Sequence, residues 1–204
     1  MPVEPSVPLI GLTGGMGAGK STALAALERL GAAVLSTDSV VHELYEDEQL
    51  CGALVRRWGP AVAPAGVVDR AAVAERAFAH VEDRAWLEGL LWPLVGARVA
   101  TWLRQVREAP REGQPRPRAA VVEIPLLFES GMETLYDATI AVISEEQVRR
   151  ERASERGHAL VDERAARQLS QDEKARRATF VVRNDGSKED LARELSAVLD
   201  KLST

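Results

Sequence analysis

At 204 residues, 46% hydrophobic and 28% charged, the chain has the composition of a soluble globule. It is long enough for one α/β core with an inserted subdomain and too short for two full domains. A net charge of −5 argues against a nucleic-acid surface, lone Cys51 excludes an internal disulfide and suits a reducing compartment, and no window approaches a membrane span, so a cytoplasmic protein is expected.

The N-terminal stretch Pro2 to Pro8 is acidic and broken by prolines, unlike a signal peptide. Pro8 to Thr13 predicts a first strand, apolar nearly throughout as a central parallel strand is. It runs into Gly14-Gly15-Met16-Gly17-Ala18-Gly19-Lys20-Ser21-Thr22 and then the helical run Ala23 to Leu27. That is G-x-x-x-x-G-K-[ST] between a strand and a helix, a phosphate-binding loop. Glycines let the backbone turn its N–H groups inward around an anion, and the helix that begins here adds its free amides and dipole. Lys20 is placed to reach β and γ phosphates, and the Ser21 hydroxyl to bind a Mg²⁺ held mostly through the nucleotide. A merely flexible turn would give no reason for Lys-Ser-Thr at the helix start.

Ser21 to Leu30 predicts a helix capped by Gly31, and Ala32 to Thr37 a second strand. The crossover between them is right-handed, so the two strands are parallel and end on one edge. Asp38 then stands at the edge where open α/β sheets bind ligands. A carboxylate there suits taking a proton from an attacking hydroxyl, or holding Mg²⁺ through water; the plainer reading is a cap for a helix starting at Ser39.

A helix is predicted over Val40 to Trp58, ended by Gly59-Pro60, and Ala61 to Val68 is a turn-rich connector. Asp69 is the N-cap of the next helix, with Ala72, Val73, Ala77 and Phe78 on its apolar side. Arg84 to Arg107 is helical but interrupted at Pro93; Trp86, Leu87, Leu90, Leu91, Leu94 and Trp102 recur at helical spacing and read as core before ligand stackers. The organisation expected is a nucleotide-binding core over 1–59 and 109–204, with a helical insertion over 60–108 walling a substrate cleft.

Ala119 to Ile124 is a third strand, followed by Pro125-Leu126-Leu127-Phe128-Glu129. Glu123 at its end is either a Walker-B-like acid near Mg²⁺ or a surface-edge carboxylate. Ala138 to Ile143 and Thr179 to Arg183 make strands four and five, and Asp190 to Leu202 a closing amphipathic helix. The fold class is therefore α/β, a five-stranded parallel sheet flanked by helices. Between strands four and five, Arg149, Arg150, Arg152, Arg156, Arg164, Arg167, Lys174, Arg176 and Arg177 crowd a helical region that also holds glutamates. Such a run reads as a solvated helix face, or as a lid over about 145–175, one or two of whose arginines neutralise transferring charge. His42, His80 and His158 lack metal-ligand spacing, and neither Asn-Lys-x-Asp nor Asp-x-x-Gly is present to mark a nucleotide switch.

With these motifs in view, the chain resembles the dephospho-CoA kinases from end to end. The resemblance is carried by Ile10 to Thr22, Val34 to Asp38, Asp69-Arg70, Glu123 to Glu129 and Asn184-Asp185-Gly186-Ser187; the Pro-Leu-Leu-Phe-Glu run is more particular than the phosphate loop. It implies a P-loop NTPase-type fold and ATP-dependent phosphorylation of the ribose 3′-hydroxyl of dephospho-CoA, the last step of coenzyme A synthesis. Another small-metabolite or nucleoside kinase is the alternative.

By the same resemblance Asp38 is the base, Lys20 and the lid arginines stabilise the moving charge, and Gly14, Gly15, Gly17, Ala18, Gly19, Lys20, Ser21 and Thr22 hold ATP and Mg²⁺. Arg70, Phe78, Leu126 and Leu127 would lie near the acceptor, and Asn184 and Gly186 near adenine. The chain departs from the family at Ser36, where Asp is frequent, at His42 for Arg, at Trp92-Pro93 for His-Pro, and at Ser154 for an arginine, leaving Arg150, Arg152 and Arg156 as lid candidates. The expected partner is a small molecule, with no nucleic acid or membrane, and the expected state a monomer or weak homo-oligomer.

Overall fold

The computed structural model describes residues 6–108, 115–149 and 168–202. Five strands, β1 (Leu9–Gly14), β2 (Ala33–Ser36), β3 (Ala120–Glu123), β4 (Ala138–Ile143) and β5 (Phe180–Arg183), form one parallel sheet in the order β2-β3-β1-β4-β5. β1 is central because it is apolar nearly throughout: Ile10 and Leu12 are fully buried, as are Val121 and Val122 on β3 beside it. The same core takes Leu27 from α1 (Lys20–Arg29) and Leu191, Leu195 and Leu199 from α7 (Lys188–Leu202). Each predicted strand falls within about a residue of its expected bounds. Gly31 follows α1 with φ +90°, as a helix-ending glycine does.

Two helical expectations are corrected. The single helix over Val40 to Trp58 is instead α2 (Thr37–Leu44) and α3 (Glu48–Trp58), because Asp47 Oδ1 accepts from both Gln49 N and Leu50 N at 2.9 Å and starts a new helix. The interruption at Pro93 does not occur: α5 runs unbroken from Val81 to Arg107 with Pro93 inside. Proline removes one backbone bond, to the carbonyl of Gly89, and a 27-residue helix retains the turns on both sides. Asp69 caps α4 (Arg70–Ala79) as expected, accepting from Ala71 N at 2.9 Å and Ala72 N at 3.2 Å.

The chain divides into two compact units, Met1–Ser36 with Leu103–Thr204, and Thr37–Trp102. The first carries the sheet. The second is helical, taking in α2 and α3 together with α4 and most of α5. Within it, Trp58 and Trp86 meet edge to face at 5.1 Å, and Asp83 accepts from Trp58 Nε1 at 3.1 Å and from Arg57 at 2.8 Å. Those hydrogen bonds, the Trp58 indole first, hold the Asp83 carboxyl below its ordinary pKa. Trp86 thus packs within the helical unit, in line with its core reading. Among the described residues no helix is long and apolar enough to cross a membrane.

Candidate active site

All five strands point the same way, so their carboxyl ends share one edge, and β1 delivers the chain to its middle. There the loop after β1 closes tightly. A side chain at Gly14 would come within 2.4 Å of the Val142 carbonyl on β4, so only glycine fits. Gly17 (φ +72°) and Gly19 (φ +90°) take left-handed turns that bring the backbone round to the first turn of α1. Inside the turn Lys20 Nζ donates to the carbonyls of Gly14 at 3.1 Å and Gly15 at 3.3 Å. An ammonium held on carbonyl oxygens within an arc of N–H groups and a helix N-terminus is built to exchange those oxygens for phosphate.

Arg149 lies against this loop. A side chain on Gly15 would sit 3.0 Å from its Nη1, and one on Gly17 would sit 2.7 Å from its carbonyl oxygen. Among the described residues, its Nε is buried without a hydrogen-bond partner. A guanidinium resting on the phosphate loop with donor capacity to spare has the chemistry to bind an anion.

The loop is braced from below and behind. Met16 N donates to Gln168 Oε1 at 3.1 Å, and Asn184 Nδ2 donates to Ala18 O at 2.8 Å. Asp185 Oδ1 accepts from Ser144 Oγ and Glu145 N, fixing the loop after β5 to the end of β4. Lys174, on α6 (Gln171–Arg177), is wholly buried and pairs with Glu129 Oε1 at 2.7 Å. Burial pushes its ammonium pKa down while Glu129 pulls it back up.

At the ends of the neighbouring strands, Glu123 stands in register with Leu12 of β1 and Ser36 of β2, and it is only 7% exposed. That burial removes the surface-edge reading of this carboxylate. Of the two leucines that follow, Leu127 is fully buried over Gly11 and belongs to the core, so only half-buried Leu126 presents a side chain outward. Asp38 is exposed in the first turn of α2, which begins at Thr37 and not at Ser39, so it is a helical residue rather than the cap.

In the helical unit Arg70 Nη1 lies 3.2 Å from His42 Nδ1, at a cleft of about 560 Å³ lined also by Tyr45, Cys51, Val67 and Val68. That volume is within the range of small-molecule sites. Phe78 is half-buried on α4.

The family model for dephospho-CoA kinase matches residues 8–190. The chain belongs to the dephospho-CoA kinase family. It is 40% identical over 188 residues to a dephospho-CoA kinase of Symbiobacterium thermophilum, covering 88% of this chain and 74% of that one. It is 39% identical to one from Anaeromyxobacter dehalogenans, over 95% and 92% of the two chains. A crystal structure from Thermus thermophilus superposes with a TM-score of 0.80 at 34% identity, over 98% of this chain and all of that one. As a dephospho-CoA kinase, the chain phosphorylates the ribose 3′-hydroxyl of dephospho-CoA with ATP, the final step of coenzyme A biosynthesis.

The lid arginines Arg150, Arg152 and Arg156 lie outside the described residues. Among the described residues of the same run, Arg149, not singled out, lies against the phosphate loop; the signal that could have found it is its place at the start of the basic segment just beyond β4. Gln168 and Gln171 carried no signal in the sequence, and Lys174, grouped there with the solvated or lid run, is instead wholly buried, since nothing in a polar helical segment announces burial. Asn184 holds the loop backbone through its side chain, and a side chain on Gly186 would come within 2.9 Å of Asp190 Oδ2. Trp92, where this family often has histidine, is 49% exposed on α5.

Proposed function

We propose that the kinase reaction runs with Asp38 as general base, Lys20 and Arg149 as the groups that neutralise the transferring phosphoryl, and the helical unit as the holder of dephospho-CoA. The observation that carries this reading is the closed loop Gly14 to Lys20, with the Lys20 ammonium seated on its carbonyls and the Arg149 guanidinium laid over Gly15. A loosely bonded phosphoryl in transit needs charge stabilisation and alignment more than covalent help, and these two cations supply the first. Asp38 orients the 3′-hydroxyl and takes its proton as the new O–P bond forms and the bond to ADP breaks. Its candidacy is supported by chain order: β2 ends at Ser36, in register with the acid Glu123, and Asp38 follows two residues later.

Among the described residues no group of three His, Cys, Asp or Glu could hold a metal unaided. That suits Mg²⁺, which keeps phosphate and water oxygens and asks the protein for little. Ser21, exposed in the first turn of α1, and Glu123 at the end of β3 are the oxygen donors that would meet it, and bound Mg²⁺ would offset charge on the β and γ phosphates. On the acceptor side Arg70, beside His42 at the cleft, offers a cation for a substrate phosphate; Phe78 and Leu126 offer apolar surface. The lone Cys51 suits a reducing compartment and supports a cytoplasmic enzyme; a monomer or weak homo-oligomer is the state proposed for it.

A coupled ADP-release assay with dephospho-CoA as acceptor tests the assignment. Asp38→Asn is expected to lower kcat by about 10²-fold or more with KM for ATP nearly unchanged, the pattern of a lost proton acceptor. An unchanged kcat would remove Asp38 from the mechanism.

A further inference from the structure

Lysine is almost never fully buried unless paired, and Lys174 has no exposed surface at all. Its three donors are all used: Glu129 Oε1 at 2.7 Å, the Pro125 carbonyl at 3.1 Å and Thr13 Oγ1 at 3.4 Å. Thr13 Oγ1 itself lies 3.4 Å from the same carbonyl. The four residues form one hub beneath the site. Thr13 is the residue before the phosphate loop, and Pro125 lies two residues beyond Glu123.

The hub also governs the stretch leading into α6. Glu129 Oε1 accepts from Leu169 N at 2.8 Å, and the adjacent residue, Gln168, holds Met16 N of the loop. Gln171 clasps both the N–H and the carbonyl of Ser144, at 2.9 and 2.7 Å. From one buried cation, connections therefore reach the start of the loop through Thr13 and an amide within it through Glu129, Leu169 and Gln168.

A buried ion pair is a poor stabiliser, since an apolar pair of like volume frequently does as well. What it does impose is geometry, and phosphoryl transfer depends on geometry. We propose that Lys174 and Glu129 are positioning residues for phosphoryl transfer: their buried pair presets the phosphate loop by fixing Thr13 and, through Gln168, the amide of Met16. Neither is a catalytic residue, because Lys174 is sealed from substrate. The proposal deepens the kinase mechanism above and rests on it.

Two variants, each read by kinetics and by hydrogen exchange with Tm as the control, test it. Lys174→Met alone strands a buried carboxylate and loses Tm, which would be uninformative, so Lys174→Met with Glu129→Met removes both charges and is expected to regain most of the wild-type Tm. Gln168→Leu breaks only the Met16 contact at a half-buried site. In the double variant kcat should stay at least about tenfold below wild type with KM for ATP within about threefold, because misplacement of the loop is felt where alignment is critical. Gln168→Leu should move kcat the same way at unchanged Tm. Hydrogen exchange of the Met16 amide in the nucleotide-free enzyme should quicken in both. That second readout involves no acceptor, so it fails separately from the choice of dephospho-CoA as substrate. Wild-type kcat in a thermally restored double variant, or a Met16 amide as protected as in the wild type, would overturn the proposal.

Discussion

At the scale of single residues, the proposed site rests on two cations beside the loop after β1. Lys20 rests on two carbonyls, and Arg149 rests on glycines with a buried donor unused. A donor aimed at charge that grows during reaction contributes more to the transition state than to the bound substrate. Arg149→Ala is therefore expected to reduce kcat by about 10²-fold while ADP affinity falls little, measured by steady-state kinetics beside calorimetric ADP binding. A loss confined to ADP affinity would make Arg149 a ground-state contact only. Lys20 was legible from its motif. Arg149 was not, because the arginines of one run look alike until the backbone sets Arg149 beside Gly15 and Gly17. Leu127 shows the reverse: its motif suggested an acceptor contact, and packing over Gly11 turned it inward.

At the scale of elements, short polar residues set most of the boundaries. Asp47 and Asp69 each satisfy two backbone amides at a helix start, and the first of them splits what apolar periodicity had joined. The Asp69 cap is worth about 1 kcal/mol by analogy with other aspartate caps. Asp69→Ala should accordingly lower Tm by about 2–4 °C in a thermal melt, with Asp69→Asn close to wild type. A Tm unchanged by the alanine would mean α4 is held by its packing alone. Pro93 teaches the opposite lesson. The sequence marks it as a breaker, yet a single missing bond does not end a long helix whose Leu87 and Leu91 are buried on one side.

For the whole molecule, the order β2-β3-β1-β4-β5 puts the strand with the phosphate loop at the centre, where both faces are covered and the loop is flanked by the ends of β3 and β4. Core packing against that central strand also carries a titration. Burial pushes the Tyr136 phenol, beside Gly11, up to about 12. A folded-state pKa raised above its unfolded value, about 10 for tyrosine, means the contribution is complete below pH 10 and is lost as pH climbs towards 12. In urea titrations the stability difference between wild type and Tyr136→Phe should hold constant below about pH 10 and shift against the wild type above it. A difference that stays flat through that range would place the phenol in contact with solvent.

The sequence by itself determined the fold class, the strand order of appearance, the phosphate loop and the family, because each of these is written in local pattern: apolar runs, glycine spacing, and a Lys-Ser-Thr at a helix start. Only the tertiary structure decided which arginine lies on the loop, that Glu123 is buried, and that Lys174 sits as a sealed cation between Thr13, Pro125 and Glu129. Those facts join residues up to 161 positions apart. Burial and pairing of a charge depend on what the rest of the chain brings to it, which no window of neighbours along the sequence contains.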